Sequence, residues 1–281
     1  AFDNDINGCL FKDWADQGII SNTVQCGGAG LCYRNNPQDP TLFAVCYNTN
    51  TLTPDFTGHI VKNFAGGGRG SRSFKMDLGP FAPNPQAKPA YYRTSFQSQL
   101  FNNFEVKKQQ FLSRGHLVPN GDFGPLEDRA LTFIMTNVAP QWQLFNLRNW
   151  GQLEAAVRAY VATKSQQFQG VYVFTGVAGG VNIRLRQRVE VPQFFWRAIC
   201  DPSTSESIFF YAKNPVGEVA GNPKVAGCNG IMQDRAFGVI ECTSVSSVSA
   251  QFNLQFSFGG NKCRPSTKGS FMDSFLTNRL R

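Results

Sequence analysis

Histidine is nearly absent from this sequence, and its other scarcities exclude several classes of protein. Only two histidines occur in 281 residues, and no Cys-x-x-Cys motif is present. Ordinary zinc sites, which depend on such ligands, are therefore not expected. No apolar run approaches the roughly 18 residues of a membrane span, so we expect no membrane partner. The sequence also lacks an Asn-x-Ser/Thr sequon, which argues against N-glycosylation.

The eight cysteines form two groups, one at each end of the chain. They are Cys9, Cys26, Cys32, Cys46, Cys200, Cys228, Cys242 and Cys263. No cysteine lies between the groups, so we expect four disulfides, two per group, and three pairings stay open within each. Disulfides indicate an oxidising compartment. The chain begins at Ala1 without a Met or a signal-like apolar segment, and we expect a processed, secreted protein.

The charge balance favours an anionic partner. The formal net charge is +8 at pH 7. Such a surplus suits nucleic acid, an anionic membrane or an acidic glycan, although solubility alone would also explain it. No concentrated Lys/Arg tail occurs, so the charge belongs to the folded surface.

The pattern along the chain predicts an α+β fold. Residues 1–50 are rich in Cys, Asn and Gly and read as a disulfide-stapled N-terminal extension or subdomain, followed by a main domain over 51–281. We predict strands at 58–64, 131–136, 171–175, 194–199 and 207–212, with one or two more within 245–258. The strongest predicted helix covers 146–161. Strands mixed with few helices, without regular alternation, indicate α+β rather than α/β.

The segment Ser113-Arg114-Gly115-His116 holds the strongest candidate for a general base. A base at neutral pH is most often histidine, because its ordinary pKa lies near 6.5. The other histidine, His59, has apolar neighbours and reads as a packed or hydrogen-bonded strand residue. Taken alone, Arg-Gly-His is a weak signal, because such a histidine can simply end a strand.

The predicted helix carries a second set of candidate residues. Asn146, Glu154 and Arg158 are spaced by multiples of four, so they can share one broad helical face. An amide oxygen, a carboxylate and a guanidinium together suit a hydrated Mg²⁺ and a phosphate. The alternative is an exposed polar face with a Glu-Arg pair that contributes a few tenths of a kcal/mol.

These motifs together resemble the DNA/RNA non-specific endonucleases of the ββα-metal type, which include mitochondrial endonuclease G and secreted bacterial nucleases. The family has Asp-Arg-Gly-His followed by Pro, then Ser-Asn-…-Pro-Gln, then Asn-…-Trp-…-Leu-Glu on a helix. This chain has a similar series, in order: Ser113-Arg114-Gly115-His116 with Pro119, Thr136-Asn137 with Pro140-Gln141, and Asn146, Trp150, Leu153-Glu154 with Arg158. The resemblance covers roughly residues 54–215.

The resemblance implies a ββα-metal nuclease fold, with a central, mostly antiparallel sheet flanked by helices. It also implies a secreted, Mg²⁺-dependent endonuclease that hydrolyses DNA, with RNA as a further candidate substrate, to 5′-phosphate products. His116 would be the general base, and Asn146 would bind the metal directly. Glu154 would reach it through water, and Mn²⁺ is an alternative ion.

The remaining candidate residues would act on the substrate or on the base. Phosphates would be bound by Arg114, Arg158 and Arg72, with Arg69 or Arg93 as alternatives to Arg72. Asn137 would orient His116 or its loop.

One departure from the family concerns Ser113, which replaces the usual Asp. Secreted animal members are similar in having Ser there, so we do not interpret it as inactivation. It keeps open a second hypothesis, a binding protein on the same fold that has lost turnover. A third hypothesis, a disulfide-rich structural or inhibitory protein, predicts no metal dependence and no effect of His116→Ala.

Overall fold

The structure, a computed structural model, describes residues 1–64, 73–165, 167–221 and 223–280. Its strands are β1 (Ala29–Tyr33), β2 (Phe43–Asn48), β3 (Thr53–Val61), β4 (Leu112–His116), β5 (Val138–Trp142), β6 (Val171–Leu185), β7 (Val189–Asp201), β8 (Glu206–Lys213), β9 (Val225–Ala226), β10 (Met232–Gln233), β11 (Ile240–Thr243) and β12 (Arg264–Pro265). Its α-helices are α1 (Lys12–Asp16), α2 (Leu126–Leu131), α3 (Gln143–Phe145), α4 (Gly151–Ala162), α5 (Val245–Val248) and α6 (Phe271–Thr277). None of these helices is long and apolar enough to cross a lipid bilayer.

A mostly antiparallel sheet forms the centre of the fold. Its strand order is β1-β2-β3-β6-β7-β8-β11, and β12 adds to β8 in parallel. The strands predicted at 171–175, 194–199 and 207–212 lie within β6, β7 and β8, where β-branched and aromatic residues are frequent. This sheet with a few separate helices confirms the predicted α+β class.

Both faces of the sheet are covered, which explains why its strands are apolar throughout. On β6, Val173 belongs to the core cluster beneath α4, whereas Tyr172 and Phe174 belong to the cluster beneath the N-terminal helix. This follows from the alternation of side chains along a strand. Phe174 stacks between Phe11 and Phe256, with ring centroids 5.1 and 3.8 Å away.

The predicted four disulfides, two per cysteine group, are confirmed, and the structure resolves their pairing. The bridges are Cys9–Cys32, Cys26–Cys46, Cys200–Cys263 and Cys228–Cys242. The first two attach the N-terminal segment to β1 and β2, and these strands continue the central sheet next to β3. The domain boundary expected near residue 50 falls in the turn between β2 and β3 and stays a prediction.

Three predicted elements are wrong in part. Residues 131–136 hold the end of α2, one bridge from Ile134 to Lys75 and the start of a 3₁₀ turn, and the strand begins only at Val138. Within 245–258 the chain forms the short helix α5, because the Ser244 hydroxyl caps it by accepting from the Ser247 amide. The predicted helix from 146 is interrupted at Arg148, where φ is −103° and ψ is −111°.

Candidate active site

A two-stranded hairpin followed by a helical segment carries the residues singled out in the sequence. β4 pairs antiparallel with β5, so that Ser113 faces Gln141 and His116 faces Val138. Gly115 is required in this hairpin, because a Cβ atom there would collide with the Gln141 side chain. The chain then enters α3, a π turn over Asn146–Trp150 and α4, which together place Asn146 beside β4.

A cavity of about 630 Å³ opens at this hairpin. Three predicted site residues, Arg114, His116 and Asn146, line it together with Ser113. Arg93, which the sequence offered as an alternative to Arg72, lines it as well. Arg72 and Arg69 both lie outside the described residues. The cavity therefore combines two cations, an imidazole and an amide, which suits an anionic substrate.

His116 lies at the wall of this cavity, with its imidazole between two phenylalanine rings. Its ring packs against Phe74 and Phe133, with centroids 5.0 and 4.8 Å away. Burial, and then the charge of Arg114, lowers the pKa of His116 to about 4. Its Nε2 atom is buried and has no hydrogen-bond partner among the described residues.

Arg114 is held next to His116 by an aromatic ring. Its guanidinium carbon lies 4.8 Å from the centroid of the Phe74 ring. Partial burial lowers the pKa of Arg114 from its ordinary value, with a small opposing effect of Tyr92. The group remains a cation at neutral pH, because arginine starts from a pKa above 12.

Asn146 is oriented so that its amide oxygen can bind a cation. Its Nδ2 atom donates to Ser113 Oγ at 3.2 Å and to Gln143 Oε1 at 3.5 Å. Both contacts use the nitrogen, and in the described parts of the chain nothing donates to Oδ1. Ser113 is fixed in turn, since its hydroxyl donates to the Gln141 carbonyl at 3.1 Å. One neutral oxygen with open space fits Mg²⁺, which keeps most of its waters.

No other described group offers a better metal site. The one cluster of His, Cys, Asp or Glu found within the described ranges is Cys228, Cys242 and Asp273. Its two cysteines form a disulfide, so their sulfurs are not thiolate ligands.

Glu154 does not line the cavity and lies behind it, paired with Arg197. Its carboxylate is 3.4 Å from the Arg197 guanidinium, and its side chain is 15% exposed. Burial raises the pKa of Glu154 to about 7, against the opposing charges of Arg197 and Arg158. Arg197 also donates to the Leu117 carbonyl at 3.2 Å. Glu154 is thus connected to the residue after His116 through a buried arginine.

Arg158 also lies outside the cavity and takes part in a buried ionic group. Its guanidinium is 3.0 Å from Asp122, and the other oxygen of Asp122 is 2.8 Å from His59 Nε2. Burial tends to raise the pKa of Asp122, but the His59 hydrogen bond and the charges of Arg158 and Arg197 outweigh it and lower the pKa. His59 is the packed, hydrogen-bonded strand residue that the sequence predicts.

Asn137 holds the loop that follows His116. Its side chain accepts from the Val118 amide at 2.9 Å and donates to the Val118 and Thr132 carbonyls at 2.9 and 3.0 Å. The Asn137 carbonyl also accepts from the Leu117 amide at 3.0 Å. Asn137 is buried and touches backbone only, so it positions the loop and does not face the cavity.

Two residues of this region were missed by the sequence reasoning, Arg197 and Asp122. Arg197 is fully buried in β7 between apolar neighbours. A charged residue inside an apolar strand pattern is a usable signal, because buried charges are paired. Asp122 follows the Arg-Gly-His segment by six residues and offers no comparable pattern.

The strand pair, the helical segment that follows it and the histidine at the cavity are the features expected of one family. The sequence profile of the DNA/RNA non-specific endonucleases matches residues 28–230. The chain belongs to this family, and the resemblance seen in the motifs is confirmed.

Individual relatives agree with this assignment. A salivary endonuclease of Lutzomyia longipalpis is 27% identical over 243 residues, which is 78% of this chain and 57% of that protein. A nuclease of Nostoc sp. (strain PCC 7120) is 36% identical over 87 residues, 31% of this chain and 30% of that protein. The chain thus spans little more than half of the first relative and under a third of the second.

A solved structure supports the fold. The crystal structure of the EndoG/EndoGI complex contains a chain with a TM-score of 0.50 and 20% identity, covering 79% of this chain and 86% of that one. At this identity the likeness concerns the fold alone, and it confirms the predicted α+β nuclease fold.

Proposed function

We propose that the protein is a secreted, Mg²⁺-dependent endonuclease that cleaves DNA without sequence preference and leaves 5′-phosphate ends. The observation that carries this proposal is one cavity that brings His116 together with two arginines and an oriented amide oxygen. A base with a pKa held below neutral is unprotonated at the working pH. RNA is a further candidate substrate, because the cavity offers groups that recognise phosphate rather than sugar or base.

The chain's own groups can carry the hydrolysis. His116 removes a proton from a water molecule, whose oxygen attacks the phosphorus and displaces the 3′-oxygen. The 3′-oxygen leaves with the electrons of the broken P–O bond and takes a proton from solvent. Arg114 and Arg93 neutralise the phosphate, which otherwise repels the nucleophile. Asn146 Oδ1 would hold a hydrated divalent cation, which when bound stabilises charge on the phosphate and the leaving oxygen.

Secretion is supported by the disulfides and by the salivary relative. Four bridges join all eight cysteines, as in proteins from oxidising compartments. Glu154 is proposed to act through water on the same cation, with Arg197 fixing its position. Arg158 and Asn137 are proposed as positioning residues, since each binds protein groups rather than the cavity.

Cleavage of supercoiled plasmid tests the proposal. The wild type and His116→Ala are each incubated with Mg²⁺, Mn²⁺ or EDTA, with Arg264→Gln as a surface control. We expect degradation by the wild type and the control with metal only, and very little by His116→Ala. Products with 5′-phosphates should be religated by DNA ligase without a kinase step.

Cleavage by the wild type in EDTA would contradict the proposed metal dependence. Cleavage by His116→Ala at the wild-type rate would contradict the role of His116 as general base. A salt-sensitive gel shift by both proteins without any cleavage would instead indicate the binding-protein hypothesis. The hypothesis of a disulfide-rich structural or inhibitory protein predicts neither a gel shift nor cleavage.

A further inference from the structure

A second basic surface lies at the tip of the hairpin between β6 and β7. Arg184 is the next-to-last residue of β6, and Arg186 and Arg188 belong to the turn into β7. Arg184 is committed to the protein, since it pairs with Glu190 at 2.6 Å and donates to the Asn50 carbonyl at 3.2 Å. Arg186 and Arg188 are exposed, and no carboxylate in the described parts of the chain pairs with them. The hairpin tip, residues 185–188, therefore presents two uncompensated cations.

The tip is rigid, because its two flanking side chains are part of the core. Leu185 and Val189 are 1% and 0% exposed. The Arg188 amide donates to the Leu185 carbonyl at 3.0 Å and closes a two-residue turn. The backbone of an anchored turn loses little conformational entropy when the turn binds a ligand.

The turn has an unfavourable backbone for its sequence. Arg186 and Gln187 both have positive φ, 53° and 58°. Two-residue turns of this kind favour Asn-Gly, and a non-glycine residue there costs on the order of 1 kcal/mol. The presence of a long cationic side chain at such a position motivates the hypothesis that the side chain itself is used.

Arg186 connects the tip to the wall of the His116 cavity. Its guanidinium carbon lies 4.1 Å from the centroid of the Phe96 ring, which is 40% exposed. Stacking on a ring leaves the in-plane N–H donors of a guanidinium open to phosphate. The residues just before Phe96, namely Arg93, Thr94 and Ser95, line the cavity that holds His116.

A cavity of about 620 Å³, the outer cavity, lies on the other side of the same wall. Lys88, Tyr91 and Arg188 line it, whereas Tyr92, the next residue along, lines the His116 cavity. Its single carboxylate, Asp77, is already occupied, because it accepts from the Tyr33 hydroxyl at 2.7 Å and from the Ala1 amino group at 2.8 Å. The outer cavity is therefore basic and adjoins the site of the proposed reaction.

We propose that the hairpin tip and Lys88 bind the backbone of a polynucleotide at phosphates outside the cavity in which one phosphate is cleaved. Arg186 stacks on Phe96, three positions after Arg93, so it lies beside the His116 cavity without lining it. This inference rests on the proposed function in that it takes the His116 cavity as the place of cleavage.

The consequence is a preference for long substrates over short ones. An oligonucleotide too short to extend from His116 to the tip loses these contacts, whereas a long duplex keeps them. Each phosphate neutralised by a protein cation contributes about 0.9 to the slope of log Kd against log salt concentration. Removing both tip cations should therefore reduce the slope for long DNA by about two.

Binding without catalysis tests the inference. Fluorescence anisotropy in EDTA compares the wild type with Arg186→Gln/Arg188→Gln on a 24-base-pair duplex and on a 4-base-pair hairpin over a range of salt. The matched control is Arg264→Gln/Lys268→Gln, which removes the same charge from exposed residues. Arg264 pairs beside Glu206 on β8, at the end of the β7–β8 pair opposite the tip, about 40 Å along a strand of 13 residues.

We expect at least tenfold weaker binding of the long duplex at 0.1 M salt for the tip variant, a slope shallower by about two, and unchanged binding of the short hairpin. Equal losses in the tip and control variants, or an equal loss on both DNAs, would overturn the inference. A wild type that binds through the tip but never cleaves would refute the nuclease proposal and leave the tip standing. If the protein cleaves DNA but the tip variant binds the long duplex as tightly as the wild type does, the tip inference fails and the nuclease proposal stands.

Discussion

The two histidines of this chain differ both in exposure and in surroundings, since His59 is fully buried and His116 is partly exposed at the wall of a cavity. His59 sits in β3 with its Nε2 atom 2.8 Å from the Asp122 carboxylate. His116 ends β4, and its Nε2 atom has no partner in the described parts of the chain. Burial lowers the pKa of both rings. A perturbed pKa therefore does not identify the base here, and neither does an unpartnered nitrogen, because His59 Nδ1 also lacks a partner among the described residues. What distinguishes His116 is its place at the wall of the basic cavity.

The difference extends to the groups around each ring. Asp122 joins His59 to Arg158, a closed group in which the charges compensate one another. Around His116 the charges are all positive, from Arg114 and Arg93, and they stay uncompensated until an anion enters. Removing one member of a buried, compensated group leaves an unpaired charge inside the protein, whereas an uncompensated group at a cavity is a candidate ligand site.

Substitution of each histidine in turn should give the largest difference, measured as kcat/KM. His116→Ala is expected to lower kcat/KM on plasmid by about 10²–10⁴-fold, because general base catalysis contributes that much. The matched variant His59→Gln should keep the rate of the wild type, within a few-fold, per folded molecule. Initial rates normalised to the folded fraction from circular dichroism measure both. If His59→Gln lost the rate and His116→Ala kept it, the roles would be reversed.

Removing the charge of Asp122, which joins His59 to Arg158, should lower the free energy of unfolding. Asp122→Asn leaves His59 and Arg158 without their anion, and we expect a loss of about 3–5 kcal/mol in the free energy of unfolding. Urea denaturation provides the measurement. Asp16→Asn is the control, since Asp16 pairs with Lys12 on an exposed surface and should change stability by less than about 1 kcal/mol. Equal effects of the two variants would show that the buried group contributes nothing beyond a surface pair.

The pH dependence of stability should separate the histidines further. The unfolded chain binds a proton at His116 near pH 6.5, but the folded protein does so only near pH 4. The contribution of His116 is thus fully present above pH 6.5 and is lost as the pH falls toward 4, about 3 kcal/mol in all.

The variant His116→Gln should make this decline shallower. His59, whose pKa is also lowered, keeps its own share of the decline in that variant. Urea denaturation at pH 7.5, 5.5 and 4.5 measures both proteins. Identical pH profiles would mean that the pKa of His116 is not lowered in the folded state.

Local motifs made part of the site predictable from sequence. Ser113, Arg114, His116 and Asn146 stand within or just after one hairpin, so their order along the chain already brings them together. The strands predicted in β6, β7 and β8 were found for a similar reason, because residues buried on both faces leave a continuous apolar pattern.

Long-range contacts account for what was missed. Arg197 reaches Leu117 across 80 residues, and Asp122 reaches His59 across 63. The helix expected from residue 146 breaks at Arg148, where Asn149 donates to the Gly238 carbonyl at 2.7 Å. Helix propensity describes neighbours in sequence, and this break depends on a partner 89 residues away.

The smallest expected effect concerns Ser113, whose hydrogen bond orients Asn146 as the hydrogen bond of Asp122 orients His59. Ser113 Oγ accepts from Asn146 Nδ2 at 3.2 Å and so turns Oδ1 toward open space. Ser113→Ala should raise the Mg²⁺ concentration for half-maximal cleavage by about tenfold, the lower range for losing a group that orients a ligand. Titration calorimetry of Mg²⁺ binding should report the same shift, and kcat at saturating Mg²⁺ should change little. Ser113→Asp keeps an acceptor for Nδ2 and should retain or improve the affinity. If Ser113→Ala bound Mg²⁺ as the wild type does, Asn146 would be oriented by Gln143 alone, and Ser113 would have no part in the site.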